Sequence, residues 1–304
     1  MVNYDELHPM NTHLLSICIP TYNRATCLKE CLESIVSQLN DERILNQVEV
    51  VISDNASTDS TTDVINEFRN KFKNIHYFKN ETNLGFDRNL LNVIEKSTGR
   101  YCLTLGDDDT FFPDSLSCLL TTLKKHNDVP YFMLNCWGYS NDMKKPVTAN
   151  PNRILDSDKS YMTLNDFVIT IKDYSELVGS FGGISVQVFN REKWLQFKDF
   201  DKYIDTQVVH FFVLLSVYKN EKFMIIAKPL VKTRNDNMRW DICPGFETNS
   251  KRSASTMKLA LWMSNLYDLN LSERKMKIYF MKRTYVQSLK QFIKKILFKL
   301  GLRR

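Results

Sequence analysis

The sequence predicts an α/β protein: a mostly parallel central sheet flanked by helices, followed by a basic helical C-terminal extension. Three observations carry this. Short apolar, partly β-branched runs alternate with segments of helical periodicity through residues 14–137, the pattern of strand–helix–strand units in a parallel sheet. Two of these runs, Val48-Glu49-Val50-Val51-Ile52 and Arg100-Tyr101-Cys102-Leu103-Thr104, lead straight into acidic stretches, Ser53-Asp54-Asn55-Ala56-Ser57-Thr58-Asp59 and Leu105-Gly106-Asp107-Asp108-Asp109. The formal charge of +6 is also divided unevenly. From Glu273 onward eleven Lys/Arg face one Glu, a local +10 that leaves the first 272 residues at −4.

Taken in order, Leu14 to Ile19 reads as a first strand ended by Pro20, and Thr26 to Gln38 has helical apolar spacing. After the Val48–Ile52 strand, Asp59 is placed to cap a helix with apolar residues at 64, 65, 68 and 72. Ile75 to Phe78 is a third strand, and Phe86 to Lys96 a helix that Gly99 would stop. The strand Tyr101–Leu105 carries the aspartates on its carboxyl end. Pro113 opens a helix through Lys125, and Tyr131 to Trp137 is a fifth strand. Residues 138–173 are polar and irregular. Beyond them, Gly182 to Phe189 alternates as a strand, Asp205 to Lys219 fits a helix, Lys222 to Ala227 a strand, and Lys228-Pro229 a turn.

Composition narrows the classes. Hydrophobic content of 43% and charged content of 25% are those of a globular protein. Seven cysteines (18, 27, 31, 102, 118, 136, 243) show no C-x-x-C spacing, which points to packed thiols in a reducing compartment. Residues 1–13 lack the apolar core of a secretion signal, and no stretch approaches 18 uninterrupted apolar residues. G-x-G-x-x-G, P-loop and G-x-S-x-G motifs are absent, so dinucleotide redox, P-loop and hydrolase-elbow chemistry have no support.

Ligands of open α/β sheets sit outside the carboxyl ends of the strands. Three consecutive aspartates there repel one another and call for a cation, most simply a hard divalent metal with oxygen ligands. Four segments stand in order: Ile19-Pro20-Thr21-Tyr22-Asn23-Arg24, Ser53 to Asp59, Asn83-Leu84-Gly85-Phe86-Asp87-Arg88-Asn89, and Gly106 to Asp109. In that order and spacing the set, over roughly residues 14–232, resembles a family 2 glycosyltransferase of the GT-A fold. Ser53–Asp59, Asn83–Asn89 and Gly182-Gly183 through Trp194 resemble the abequosyltransferase-like enzymes of bacterial O-antigen assembly.

The resemblance implies an inverting, metal-dependent transfer of sugar from a nucleoside-diphosphate sugar donor to a carbohydrate acceptor, often lipid-linked. It implies a transferase domain over residues 1–232, with a nucleotide-binding half at 14–137 and an acceptor half at 138–232, then the 233–304 extension. Pro20, Thr21 and Tyr22 would line the nucleobase pocket with Arg24 nearby, and Asp54 would bind base or ribose, beside Asn55 and Asn83. Arg88 would lie against base or phosphate. Separately, the polar stretch Lys232 to Asn237 reads either as a loop that closes over the diphosphate, with Arg234 complementing its charge, or as a plain surface loop. The family's D-x-D motif is altered: Gly106 replaces its first Asp, Asp107 is an extra carboxylate beside the nucleotide, and the metal ligand falls on Asp108 with Asp109 second. The metal would be Mg²⁺ or Mn²⁺.

The family's general base, an Asp in a Glu-Asp pair, is replaced as well. Counting back from Pro229-Leu230-Val231 reaches Val209-His210, so His210 is the expected base and Asp205 the alternative. In the tail, Ile278, Met281, Tyr285, Leu289, Phe292 and Ile296 recur at three- and four-residue spacings among Lys/Arg, the profile of a helix on an anionic membrane surface. The expected location is therefore cytoplasmic and peripheral to the membrane. A helix packing on the body or on a second subunit is the competing reading, and no nucleic-acid motif is present. A nucleotide-sugar-binding protein without turnover is the alternative function; a nucleotidyltransferase fits less well, because no glycine-rich phosphate loop follows the first strand.

Overall fold

The computed structural model describes residues 13–39, 41–148, 157–171, 181–235 and 266–267. The chain divides into two compact units, Met1–Met238 and Arg239–Arg304; the first is described below. The expected amphipathic helix after Glu273 lies outside the described residues, as does most of the 233–250 loop.

The first half is built from β1 (Leu15–Thr21), α1 (Ala25–Val36), the short α2 (Glu42–Leu45), β2 (Val48–Asp54), α3 (Thr61–Arg69), β3 (Ile75–Lys79), α4 (Phe86–Lys96) and β4 (Tyr101–Thr104). Then follow β5 (Thr110–Phe111), α5 (Ser115–Lys125), β6 (Tyr131–Tyr139), β7 (Pro146–Thr148), β8 (Lys159–Tyr161) and α6 (Leu164–Val168). A 3₁₀ turn (Ile184–Val186) precedes β9 (Gln187–Asn190) and α7 (Arg191–Leu195). A second 3₁₀ turn (Phe200–Tyr203) leads to α8 (Val209–Val217) and the long β10 (Phe223–Arg234).

The strands form a ten-stranded sheet of order β3-β2-β1-β4-β9-β6-β10-β5, with β7 beside β6 and β8 beside β10. β3, β2, β1 and β4 are parallel, as are β6 and β10; β9 is inserted antiparallel between β4 and β6. β1, β2 and β4 are buried along their whole lengths, which is why they read as unbroken apolar runs. The positions 137/138 and 232/233 fall inside β6 and β10, so both halves share one sheet.

Several local expectations are corrected. Pro20 does not end β1; its register continues to Thr21 opposite Asp54. Cys18 O accepts from Leu105 N on the β4 side, so Pro20, two residues on, turns its missing N–H to that same side, where pairing with β4 has already stopped at Cys18. Gly99 is not the stop of α4, which ends at Ser97 in extended backbone. A Cβ on Gly99 would meet Ser16 Oγ at 2.5 Å and Ser16 N at 2.7 Å, so glycine is needed for close approach to β1. Lys228-Pro229 is a bulge within β10, not a turn. Gly182–Phe189 is a 3₁₀ turn followed by β9, and the helix expected from Asp205 begins at Val209 because Asp205 and Gln207 adopt left-handed φ of +64° and +60°. The cap of α3 is Ser60, and Asp59 does more than cap. Its carboxylate accepts from Thr61 N (3.1 Å) and, on its other oxygen, from Ala25 N (3.0 Å), tying the starts of α3 and α1 together.

α8 is apolar on every side and buried from Val209 to Leu215, as expected of a helix through the core. It packs with an aromatic cluster that includes Phe181–Phe211 (5.9 Å between centroids) and stacked Tyr203–Phe212 (4.1 Å).

Candidate active site

The carboxyl ends of β1, β2 and β4 converge, as the two acidic stretches require. Thr21, the last residue of β1, donates its hydroxyl to Asp107 Oδ2 (2.7 Å). Arg24, just before α1, lies 3.0 Å from Asp107 Oδ1 and 2.9 Å from Asp108 Oδ2. On the far side, Ser185 Oγ donates to Asp109 Oδ2, and Arg234 N donates to Asp109 Oδ1 (2.8 Å). Ser185 Oγ also accepts from Gly106 N (2.8 Å). The aspartate turn is thus held from β1, from the 3₁₀ turn and from the end of β10.

Electrostatics follow from this crowding. Burial pushes the Asp107 carboxyl up to about 6, against Arg24 and with Asp108 adding repulsion. Burial and then Asp108 push Asp109 to about 7, against the Ser185 and Arg234 donors. Burial weakens the Arg24 cation, but Asp107 and Asp108 together hold its pKa above the ordinary value. One guanidinium therefore spans two of three carboxylates, and the cluster remains short of positive charge.

Gly106 itself is accounted for. A Cβ there would stand 3.1 Å from Asp108 Oδ1, 3.2 Å from Asp109 Oδ2 and 3.2 Å from Ser185 Oγ. A family-type Asp at this position would crowd the Asp109–Ser185 bond.

The nucleotide-side candidates gather on the adjoining loops. Asp54 is wholly buried; its oxygens accept from Ser57 N (2.8 Å) and Tyr77 OH (2.8 Å), so it sets the loop from beneath. Asn55 donates to Asn83 Oδ1 (2.7 Å) and accepts from Leu84 N (2.8 Å), joining the Ser53–Asp59 and Asn83–Asn89 loops. Pro20 is buried and Tyr22 half-buried at the mouth of β1. Arg88 is half exposed at the start of α4, 3.9 Å from Asp201. Arg234 departs from expectation. Its guanidinium, 4% exposed, is engaged by Glu30 and the Asn141 carbonyl, with Nε on Asp108 O (3.0 Å). It clasps the aspartate turn from within instead of reaching over a diphosphate.

The two candidate bases differ. Asp205 is exposed. His210 is 1% exposed, its Nε2 3.3 Å from Gly182 O, and burial holds its pKa down to about 4, so the imidazole is neutral, the form that can take a proton. Residues that sequence reasoning passed over also appear. Asp87, inside the quoted Asn83–Asn89 segment, is buried and accepts from Gln207 N (2.7 Å) and Val209 N (3.2 Å) at the head of α8. Ser185 follows the glycine pair, and only its contact with Asp109 reveals its part. Asn89 ties Ser53 to α4 through Ser53 Oγ (2.7 Å) and Ser53 O (2.9 Å).

Whether a metal fits can be judged from the donor set. Among the described residues no group of three His, Cys, Asp or Glu could hold a metal ion alone. The oxygen-only cluster, its excess negative charge and the half-buried Asp108 do fit a hard cation that takes one or two carboxylates and completes its shell with phosphate and water.

A mixed central sheet whose parallel strands β1, β2 and β4 carry an aspartate turn and two polar loops at their carboxyl ends is the arrangement of a GT-A-type fold. The sequence matches the family described as Glycosyl transferase family 2 over residues 16–183, and the chain belongs to that family. It is 36% identical over 238 residues to abequosyltransferase RfbV of Salmonella typhimurium, covering 74% of this chain and 67% of that one. It is 30% identical over 107 residues to the GalNAc(5)-diNAcBac-PP-undecaprenol beta-1,3-glucosyltransferase of Campylobacter jejuni, 35% of this chain and 33% of that one. Among solved structures, S. aureus TarS 1-349 in complex with UDP-GlcNAc superposes with a TM-score of 0.60 at 17% identity, over 86% of this chain and 69% of that one. Mannosyltransferase PcManGT from Pyrobaculum calidifontis, in complex with GDP-Man and Mn²⁺, gives 0.53 at 13% identity, over 97% and 82%. These structural likenesses show the fold. The protein is a glycosyltransferase.

Proposed function

We propose that this glycosyltransferase moves a sugar, with inversion, from a nucleoside-diphosphate donor to a carbohydrate acceptor that is lipid-linked, in surface polysaccharide assembly. The observation that carries the reading is the aspartate turn of residues 107–109, held between Thr21, Arg24, Ser185 and Arg234. The relative that acts on a PP-undecaprenol-linked saccharide supports the acceptor class. Pro20, Thr21, Tyr22 and Arg24 form one wall of the nucleotide site, with Arg88 on another. Asp54, Asn55 and Asn83 shape the loops between them. Asp107 keeps Arg24 in place.

Asp108, with Asp109 behind it, would hold Mg²⁺ or Mn²⁺ against the donor diphosphate. Such a cation offsets the charge that gathers on the departing nucleoside diphosphate. The chain's own residues orient the rest: Arg24 stands beside Asp108 to meet phosphate oxygens, and Arg234 and Ser185 fix the turn. His210 is the proposed base. With Nε2–H donating to Gly182 O, its Nδ1 carries the lone pair, and that atom is buried with no partner among the described residues. An acceptor hydroxyl would supply one.

The test is a thermal-shift screen of UDP, GDP, CDP and dTDP with and without Mn²⁺, followed by consumption of the matching nucleotide sugar. One nucleotide should raise the melting temperature and its sugar derivative should be turned over; binding without consumption would support a non-catalytic nucleotide-sugar-binding protein instead. His210→Ala should bind the nucleotide normally and lose transfer, and parental turnover would remove His210 in favour of Asp205.

The division after residue 232 and the membrane role of the basic tail belong to the same proposal. Among the described residues no helix is long and apolar enough to cross a membrane. A peripheral enzyme on the cytoplasmic face, docked through residues 273–304, would meet a lipid-linked acceptor. Flotation with anionic liposomes should retain the full chain and lose a truncation at Leu271.

A further inference from the structure

The head of α8 holds two buried polar atoms without a hydrogen-bond partner among the described residues: Gln207 Oε1 and His210 Nδ1. Their residues are 6% and 1% exposed. A buried acceptor left without a donor is costly, and such groups are rare unless a ligand or water completes them. The backbone at Gln207 is costly as well, since its left-handed φ of +60° disfavours a long side chain, whereas Asp205 at +64° is of a type that tolerates this region.

Neither cost is an accident of a loose loop. Asp87, reaching across from α4, commits its two oxygens to Gln207 N (2.7 Å) and Val209 N (3.2 Å), and so fixes the strained approach. The head of α8 is joined to the aspartate turn through the short Gly182–Ser185 segment. His210 Nε2 lies 3.3 Å from Gly182 O, and three residues along, Ser185 bonds Asp109; three residues of backbone reach at most about 11 Å.

We infer that Gln207, held by Asp87, is a specificity-determining residue whose Oε1 accepts a hydrogen bond from a saccharide hydroxyl, with His210 Nδ1 accepting from a second. The chemistry follows from the unfilled atoms. Both accept, so their ligand donates twice; both are lone pairs in a desolvated place, so a phosphate or carboxylate oxygen would be repelled. Neighbouring hydroxyls of a sugar ring satisfy both. The inference rests on the glycosyltransferase reading: where the sugar is the acceptor, His210 Nδ1 keeps its role as base, and where it is the one transferred, that role passes to Asp205.

Two variants test it, with the nucleotide sugar selected by the screen and a panel of methyl glycosides as acceptors. Gln207→Met replaces the orphan acceptor with an apolar group of similar shape. Gln207→Asn carries the left-handed backbone more readily but falls one methylene short. Both should melt at or above the parent, bind the nucleoside diphosphate with parental affinity, and lose at least tenfold in kcat/KM for transfer. If donor hydrolysis by water stays within twofold of the parent, Gln207 reads the acceptor; if hydrolysis falls in parallel, it reads the transferred sugar. Transfer at the parental kcat/KM in both variants would overturn the inference. So would a melting temperature several degrees lower in both, which would give Oε1 a structural partner, or a matching loss of nucleotide affinity. A parent that consumes no nucleotide sugar would overturn the glycosyltransferase reading itself, and this inference with it.

Discussion

Replacing Asp87 with Asn keeps the shape of the side chain and one carbonyl oxygen, but removes the charge and one of the two acceptors that hold α8. Two effects oppose each other. Burial raises the Asp87 carboxyl from 3.8 to about 6, with the Gln207 and Val209 amides pulling the other way. At 1.36 kcal/mol per pH unit, ionising it inside the fold costs about 3 kcal/mol. The lost charge-assisted hydrogen bond is worth about 1.5–3 kcal/mol. The sign is set by the upward displacement: stability from this group is fully present below 3.8 and is lost as pH rises through about 6. The parent should therefore be clearly more stable than Asp87→Asn near pH 4, and the gap should close by about 2.5 kcal/mol toward pH 7.5. At about 2–4 °C per kcal/mol for a domain of this size, the difference in melting temperature should narrow by roughly 5–10 °C. Thermal melts of both proteins across that range cancel the titrations they share. A gap that is constant with pH, or that widens toward neutrality, would refute the reasoning.

Asp59→Ala should remove the carboxylate that accepts from the first-turn amides of two helices at once, costing about 2 kcal/mol, or roughly 4–8 °C in melting temperature. Because its Thr61 and Ala25 donors outweigh the opposing burial and hold this carboxyl below its ordinary value, that cost should vanish as pH falls below the usual Asp range. Gly99→Ala should destabilise by about 1–3 kcal/mol, since its Cβ would overlap Ser16 backbone while β1 and β4 are locked in register; a denaturation midpoint equal to the parent's would show that the strands yield.

Much of the sheet was legible because β1, β2 and β4 are buried along their lengths and announce themselves as apolar runs, and because β2 and β4 lead into carboxylates. The strand ends that carry the two acidic stretches came together as their apolar runs implied, whereas the bonds from Thr21 and Arg24 to the aspartate turn had no sequence signal. What misled were residues with two physical roles. Pro20 usually breaks strands, yet its missing donor falls where β1 has no neighbour. Gly99 sits where a helix stop would, but serves a close contact that no local pattern encodes. Pro229 reads as a turn and is accommodated as a bulge, visible only once β6 is alongside. Asp87, Ser185 and Gln207 escaped notice because their partners lie 120, 76 and 120 residues away in sequence. Arg234 was expected to face the ligand because it follows a strand end, whereas Glu30 on α1 draws it inward.

The central claim is that Asp108 anchors a divalent cation against the donor diphosphate. Calorimetric titration of the nucleoside diphosphate chosen by the screen, with and without Mn²⁺, on the parent and Asp108→Asn tests it most directly. Mn²⁺ should tighten binding to the parent at least tenfold, about 1.4 kcal/mol, and leave the variant unchanged. An equal gain in both proteins, or none in the parent, would contradict it.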